Sequence, residues 1–348
     1  MLSFISLKSA NFKSMNLEFL DNAFDMVSSG IQWIRTLILS FVAAAIDLAI
    51  MGWLITYYTA ETIILTFTPT FLRKQRSLRG KVIVLTGGAG GVGQELALRL
   101  ARNQAKVVIW DVNEKGMNEI KEKIENEGHQ VHVYTVDVTD RKSVYKNADL
   151  VKSEVGVVDI LINNAGIVCG NTCLDIPDYM VEKTFQVNIL SQYWTVKAFL
   201  GDMIKNGKGH IVTVSSLTGM LGTYKCTDYS ASKHATIGFH ESLLTELKTH
   251  GQKGINMTIV CPYFINTGMF NGCKPKNMAM LEPRDVAKRI ITAIKLKEVF
   301  VTMPWWARFI LPLKNFIPAK LSWAIIYRLI KGPQSMMGMR AFQETEAA

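Results

Sequence analysis

From Lys81 onward, short apolar runs alternate with helical stretches, and this alternation limits the fold more than any other feature of the chain. Apolar runs fall at 82–85, 107–110, 131–136, 160–162, 211–214, 257–260 and 299–301. Between them lie amphipathic or charged helical stretches, one ending near Arg102, one over 113–127 and one over 177–203. A strand that is apolar on both sides must be covered on both faces, and a helix between consecutive strands makes them parallel. The expected fold class is therefore α/β, a parallel sheet sandwiched by helices. Such sheets bind ligands at the carboxyl ends of their strands. No internal repeat or low-complexity tract interrupts the pattern.

The residues at those strand ends carry chemistry. The first strand runs into Thr86-Gly87-Gly88-Ala89-Gly90-Gly91-Val92-Gly93 and then a helix. A glycine loop in that context lets backbone N–H groups approach a pyrophosphate at a helix amino terminus. Asp111 ends the second strand, 24 residues beyond Gly87. Its carboxylate can accept from both hydroxyls of a ribose and repels a 2′-phosphate, so the expected cofactor is NAD rather than NADP. Tyr229 and Lys233 stand four residues apart at the start of a helical stretch and share one face. A free tyrosine, with a pKa of about 10, is a poor base at neutral pH. A neighbouring ammonium favours the phenolate and is expected to lower that pKa. Tyr229 could then take the proton of an alcohol while hydride leaves. Ser216, at the end of a strand, is placed to hold the substrate oxygen, and Asn188 to hold a water linking Lys233 to solvent.

Taken in order, Thr86-Gly87-x-x-x-Gly91-x-Gly93, Asn163-Asn164-Ala165-Gly166, Ser216 and Tyr229-x-x-x-Lys233 resemble the signatures of the short-chain dehydrogenase/reductases. The resemblance covers Lys81 to about Thr302. It implies a Rossmann-type doubly wound sheet of seven parallel strands in the order 3-2-1-4-5-6-7, and a catalytic tetrad of Asn188, Ser216, Tyr229 and Lys233. It implies cofactor contacts from Gly87, Gly91, Val92, Gly93 and Asp111, with Asp137 and Val138 flanking the adenine. Asn164, Ala165, Gly166, Tyr229, Lys233 and Pro262 follow along the dinucleotide, and Thr267 touches the nicotinamide carboxamide. Pro262-Tyr263 departs from the Pro-Gly found in much of the family, which bears on the local loop shape. Within the family, residues 160–168, 195–200 and 259–272 are similar to a membrane-bound subgroup that includes epidermal retinol dehydrogenases and lipid-droplet 17-beta-hydroxysteroid dehydrogenases.

The chain outside this region supports a surface or membrane setting. Residues 37–57 hold ten Leu, Ile, Val or Phe and a single charge, Asp47. At ~1.5 Å per residue they reach about 31 Å, the thickness of a hydrocarbon core. Asp47 costs ~2.5–3.5 kcal/mol at the centre, about what the ten apolar residues offset at ~0.3–0.6 kcal/mol each. A second run, 62–72, is expected to be a hairpin return arm or an interfacial segment. Arg73, Lys74, Arg76, Arg79 and Lys81 follow, which puts the catalytic domain in the cytoplasm by the positive-inside rule. Of the 39 basic and 29 acidic residues, 6 basic and only 2 acidic ones lie in 301–348. That tail mixes its charge with Trp305, Trp306, Phe309, Phe316, Trp323 and Tyr327, which suits an anionic lipid surface better than a nucleic acid. The expected organisation is a polar segment 1–30, a membrane anchor 31–72, the NAD-binding domain 80–302 and a basic amphipathic helical tail 303–348. Five cysteines without a CxxC pair exclude a zinc ribbon or a disulfide scaffold and fit reduced thiols; no metal is expected.

Met269, Phe270, Met278, Met280 and Leu281 lie where this fold places its substrate lid. Methionine fits irregular apolar ligands, so the expected substrate is a lipophilic alcohol or ketone, such as retinol, a steroid or a long-chain alcohol. The expected location is the endoplasmic reticulum membrane or a lipid droplet, with a homodimer as the assembly left open. Two other readings remain: a non-catalytic membrane scaffold that keeps the fold, and an NADPH-dependent carbonyl reductase. An intact tetrad counts against the first and Asp111 against the second.

Overall fold

The computed structural model describes residues 2–69 and 72–341. Residues 70–71 of the expected anchor and 342–348 of the expected tail lie outside the described residues. The chain divides after Arg73 into two units.

The first unit is one helix, α1 (Leu2–Phe67). Its stretch Phe19–Leu65 is 47 residues long, contains an 18-residue window with a mean hydropathy of 2.2, and has no buried residue. At ~1.5 Å per residue that is about 70 Å, more than twice a hydrocarbon core of ~30 Å. Of the two readings of the second apolar run, the hairpin return arm does not form, since the run continues α1 without a break through Phe67. The physical reason is local: residues 57–67 contain neither Gly nor Pro, and the first helix breaker is Pro69.

The second unit holds the sheet. Its strands are β1 (Val82–Thr86), β2 (Lys106–Asp111), β3 (Val131–Thr135), β4 (Ile160–Asn163), β5 (Gly209–Val214), β6 (Ile255–Pro262) and β7 (Phe300–Met303). They form one parallel sheet in the order β3-β2-β1-β4-β5-β6-β7, as expected. Side chains alternate across a strand, and the two faces have separate cores. Ile83, Leu85, Val107 and Ile109 pack with Leu96 of α2 (Gly91–Arg102), Ile120 of α3 (Glu114–Asn126) and Ile290 of α8 (Pro283–Leu296). Val82, Val84, Val108 and Trp110 pack on the other face with Val144 of α4 (Arg141–Glu154), Phe199 of α6 (Ser191–Lys205) and Leu243 of α7 (Thr227–Thr249). Trp110 and Phe199 anchor that face, fully buried with ring centroids 5.5 Å apart. Each such side chain contributes ~1.5–3 kcal/mol by leaving water.

Two features position the site. The chain passes from β1 outward through β2 and β3, then crosses back to β4, so the crossovers diverge between β1 and β4 and leave a crevice at their carboxyl ends. The helical stretch expected over 177–203 is interrupted: α5 (Asp178–Phe185) meets α6 through a π-helical turn, Gln186–Leu190, that contains Asn188. Such turns recur at functional sites. The tail is helical in short pieces, Ala307–Ile310, Ala319–Ala324 and Gly332–Met336. Trp305, Phe309, Phe316, Trp323 and Tyr327 are exposed, whereas Ser335, Met336 and Met339 are buried.

Two buried histidines brace β5. His210 is held between Arg76 and Thr258, and His240 of α7 meets the Thr213 hydroxyl at 3.1 Å. Burial keeps both neutral, lowering His240 from 6.5 to about 4 and His210 well below 6.5. As pH falls below about 6.5, the unfolded chain binds these protons first, so stability is lost towards pH 4. For His240 alone the loss between pH 7 and 5 is about 2 kcal/mol. Thermal melts of the detergent-solubilised protein and of His240→Gln at the two pH values check this. The variant should lose less stability on acidification, and equal losses would show that His240 takes no part in the acid limb.

Candidate active site

The glycine loop is shaped by close backbone approaches. Gly87 follows β1 with φ +67°, and a Cβ there would come within 2.8 Å of the Ala165 Cα. A Cβ on Gly93 would lie 1.9 Å from the Gly87 carbonyl oxygen, so only glycine lets α2 turn back this tightly. Gly90 faces open space, where a Cβ would meet nothing within 4 Å, and no side chain caps α2 there. The positive end of the α2 dipole and its first amides are thus presented to the crevice, a cradle suited to phosphate.

Thr86 and Asn164 lock this loop to β4. The Thr86 hydroxyl accepts from the Asn164 and Ala165 backbone N–H groups, both at 3.1 Å. The Asn164 side-chain amide donates to the carbonyls of Thr86 at 3.1 Å and Gly87 at 2.9 Å. Asp111 is fixed in the same way. One carboxylate oxygen accepts from Ala89 N–H at 2.8 Å, and the other from Val112 and Asn113 N–H at 2.8 and 3.1 Å. A carboxylate offers about four acceptor sites, so capacity remains for a ribose hydroxyl. Asp137 accepts from the backbone N–H and the hydroxyl of Thr139.

One cavity of about 910 Å³ joins these groups. Along the sheet, Asp111, Asp137 and Val138 follow β2 and β3, Gly87, Gly91, Val92, Asn164, Ala165 and Gly166 follow β1 and β4, and Ser216, Pro262 and Thr267 follow β5 and β6; Tyr229, Lys233, Met269 and Phe270 complete the lining. Of the residues expected to touch the cofactor, only Gly93 is not among those lining the cavity; its place is behind the loop. A crevice with a glycine cradle, a fixed carboxylate and a buried tyrosine and lysine fits a nicotinamide dinucleotide.

The expected catalytic side chains meet in that crevice, with one exception. Ser216 follows β5, and its hydroxyl accepts from Thr218 N–H at 3.2 Å and hydrogen-bonds Tyr229. Lys233 lies one helical turn beyond Tyr229, with its Nζ 5.5 Å from the Tyr229 ring centroid and donating to the Val214 carbonyl at 3.0 Å. Both side chains are buried. Burial raises the Tyr229 phenol above its ordinary range, against the lowering effect of the Ser216 hydrogen bond. Burial also lowers Lys233 from 10.5 to about 8. The expectation that a nearby ammonium sets a low Tyr229 pKa is therefore corrected: loss of water outweighs it.

Asn188 is the exception, since it does not line the cavity. Its Oδ1 accepts from Ile167 N–H at 2.8 Å, and its Nδ2 donates to the Ile167 carbonyl at 2.9 Å and the Ser232 hydroxyl at 3.0 Å. Its own carbonyl accepts from Gln192 and Thr236. The side chain expected to hold a water is instead committed to bracing the backbone beside Gly166 and the helix that carries Tyr229 and Lys233.

The parts played by four residues escaped the sequence reading. The roles of Thr86 and Ala89 lay inside the recognised motif, but only geometry shows what they hold. Met336 and Met339 lie more than 100 residues after Tyr229, yet they share its buried cluster. Nothing in a methionine-bearing tail signals such a contact.

Comparison with known proteins agrees with this geometry. Residues 81–277 match the short chain dehydrogenase family. The human protein named epidermal retinol dehydrogenase 2 is 44% identical over 252 residues, spanning 71% of this chain and 82% of that protein. The human protein named estradiol 17-beta-dehydrogenase 11 is 34% identical over 275 residues, spanning 79% and 91%. A crystal structure of a short chain dehydrogenase/reductase from Burkholderia phymatum in complex with NAD superposes with a TM-score of 0.64 at 25% identity, covering 69% of this chain and 95% of that one. A metagenomic short-chain oxidoreductase in complex with NADP gives a TM-score of 0.56 at 25% identity, covering 65% and 96%. The chain belongs to the short-chain dehydrogenase family, oxidoreductases that work with a nicotinamide dinucleotide.

Proposed function

We propose that this protein oxidises a lipophilic alcohol with NAD while attached to a membrane through α1. The observation that carries the reading is the single cavity lined by Asp111 and by Tyr229, Ser216 and Lys233, beside the apolar side chains of Met269 and Phe270. The names of the relatives, retinol dehydrogenase and estradiol 17-beta-dehydrogenase, point to a large apolar substrate with one hydroxyl. The apolar surface of α1 supports attachment to a lipid phase, the endoplasmic reticulum or a droplet surface, from which such a substrate would be drawn. The exposed aromatics of the tail, with Arg308, Lys314, Lys320 and Arg328 among them, support a second, weaker contact with anionic headgroups.

The backbone of 87–93 would hold the pyrophosphate, Asp111 the adenosine ribose, Asp137 and Val138 the adenine edge, and Thr267 the carboxamide. Bound there, NAD supplies the hydride acceptor. The chain's own residues handle the proton. Ser216 orients the alcohol oxygen, and the Tyr229 phenolate takes its proton as the carbon becomes a carbonyl. The Lys233 ammonium favours that phenolate and offers a proton route behind it. Asn188 keeps the turn beside Gly166 and the Tyr229 helix in place. In reverse, the Tyr229 phenol, which burial keeps protonated, donates to a carbonyl, so the same groups serve reduction.

Tyr229→Phe keeps the ring and removes the proton carrier. Alcohol-dependent NADH formation should fall ~10²–10⁴-fold, while NAD binding, read by fluorescence titration, is retained. Since Tyr229 titrates above its usual range, the wild-type oxidation rate should rise with pH from 7. It should flatten above about 8, where Lys233 loses its charge. A variant with full turnover, or with the same pH profile, would remove Tyr229 from the chemistry.

Asp111→Ser removes the carboxylate that repels a 2′-phosphate. A charge-assisted hydrogen bond is worth ~1.5–3 kcal/mol, about a 10-fold or larger change in preference. The NAD/NADP affinity ratio should fall by that factor. A wild type that already prefers NADP would overturn this assignment of Asp111.

A further inference from the structure

The buried end of the tail is packed against the apolar side of the site. Met336 is fully buried and Met339 nearly so, in one cluster with Val168, Cys226, Tyr229, Phe270 and Cys273. Phe270 stands edge-on to Tyr229 at 5.8 Å and to Phe264 at 5.2 Å. One wall of the cavity is thus the front of a layer whose back is made by the tail methionines.

Backbone contacts bind the two segments together. Lys274 N–H donates to the Ser335 carbonyl at 2.9 Å, Arg340 N–H to the Asn271 carbonyl at 3.0 Å, and Lys276 N–H to the Ser335 hydroxyl at 3.2 Å. The Asn277 side chain donates to the carbonyls of Leu329 and Ile330. From the opposite side, Lys225 donates to the Met339 carbonyl at 3.0 Å. Two glycines meet face to face: a Cβ on Gly272 would lie 2.0 Å from the Gly338 oxygen, and a Cβ on Gly338 would lie 2.5 Å from the Gly272 oxygen. A Cβ on Gly170, in the loop after β4, would reach the Met339 Cε at 2.8 Å. Three separate segments therefore approach to backbone contact, and they do so within one layer of the proton-transfer tyrosine.

We propose that residues 331–340 are a substrate-positioning strap, which braces the lid 267–281 from behind and sets how well the site grips the apolar body of its substrate. This rests on the reading of the site as one for a lipophilic alcohol. The strap is a positioning element, since its methionines reach the substrate space through Phe270 and Tyr229. The physical basis is packing. Met336 and Met339 fill the space behind Phe270, and shortening either leaves a void that the lid relaxes into. A large apolar substrate depends on the position of Phe270, whereas a small alcohol that touches only Ser216 and Tyr229 does not.

The test uses the full-length protein in phospholipid vesicles with retinol, estradiol and cyclohexanol as alcohols and NAD as acceptor. Met339→Ala, Met336→Ala and Gly338→Ala are compared with Met339→Leu, which conserves volume. The first three should raise KM for retinol or estradiol about 10-fold, the equivalent of one apolar side chain's worth of packing. KM for cyclohexanol and NAD affinity by fluorescence should stay within about twofold, and Met339→Leu should match the wild type. A uniform loss of activity on all alcohols and of NAD binding would mean that the strap is only structural and would overturn the proposal. So would unchanged KM values for the bulky alcohols. A wild type inert towards all three alcohols in the presence of bound NAD would instead defeat the underlying substrate reading, and this outcome is seen before any variant is made.

Discussion

The site depends on the ends of two paired strands being locked together by the Thr86 hydroxyl and the Asn164 side chain. Thr86 Oγ1 takes the backbone N–H groups of Asn164 and Ala165, and the Asn164 side chain answers by donating to the carbonyls of Thr86 and Gly87. These four bonds continue the pairing of β1 with β4 past its last registered pair, Leu85 and Ile162, where the direction of strand addition reverses. They also set the glycine loop against β4 so closely that Gly87 cannot carry a side chain. Once β1 and β4 are fixed, α2 presents its amino terminus to the crevice, and Asp111 reaches back to Ala89 across the same loop. The polar groups are buried but paired, which is the condition for keeping them away from water at acceptable cost.

The tyrosine and lysine of the crevice follow a different logic. Tyr229 and Lys233 are removed from water almost completely, and each is pushed towards its neutral form. Low dielectric surroundings strengthen every remaining charge interaction there. At neutral pH the tyrosine is thus a phenol beside an ammonium that sits close to its own titration. The same burial explains why the apolar lid and the tail converge on the tyrosine. Phe270, Met336 and Met339 share one buried cluster with the tyrosine.

How far this was legible in the sequence depends on the range of the interaction. The strands and the loop were legible because apolar runs, glycine spacing and a terminal Asp111 are local signals, while the strand order came only with the family resemblance that the motifs carry. Tyr229 and Lys233 were legible as a pair because four residues make one helical turn. Asn188 was recognisable by family pattern, but its partners, Ile167 and Ser232, are supplied by the fold. The raised Tyr229 pKa was not legible, since burial is a sum over many distant residues. The long α1 was underestimated because 37–57 meets the length of a bilayer by itself, while the helix runs on because no proline precedes Pro69. The strap was invisible for a plainer reason: no periodicity or motif links Met339 to Gly170 or Tyr229.

The central claim is that the cavity between Asp111 and Tyr229 carries out NAD-dependent oxidation of a lipophilic alcohol. Its most direct test is the formation of NADH by the purified full-length protein in phospholipid vesicles, with retinol, estradiol and a long-chain fatty alcohol offered in turn under NAD and under NADP. The account predicts turnover with at least one of the three and a clear preference for NAD. Absence of turnover with all three, from protein shown to bind NAD, would contradict it.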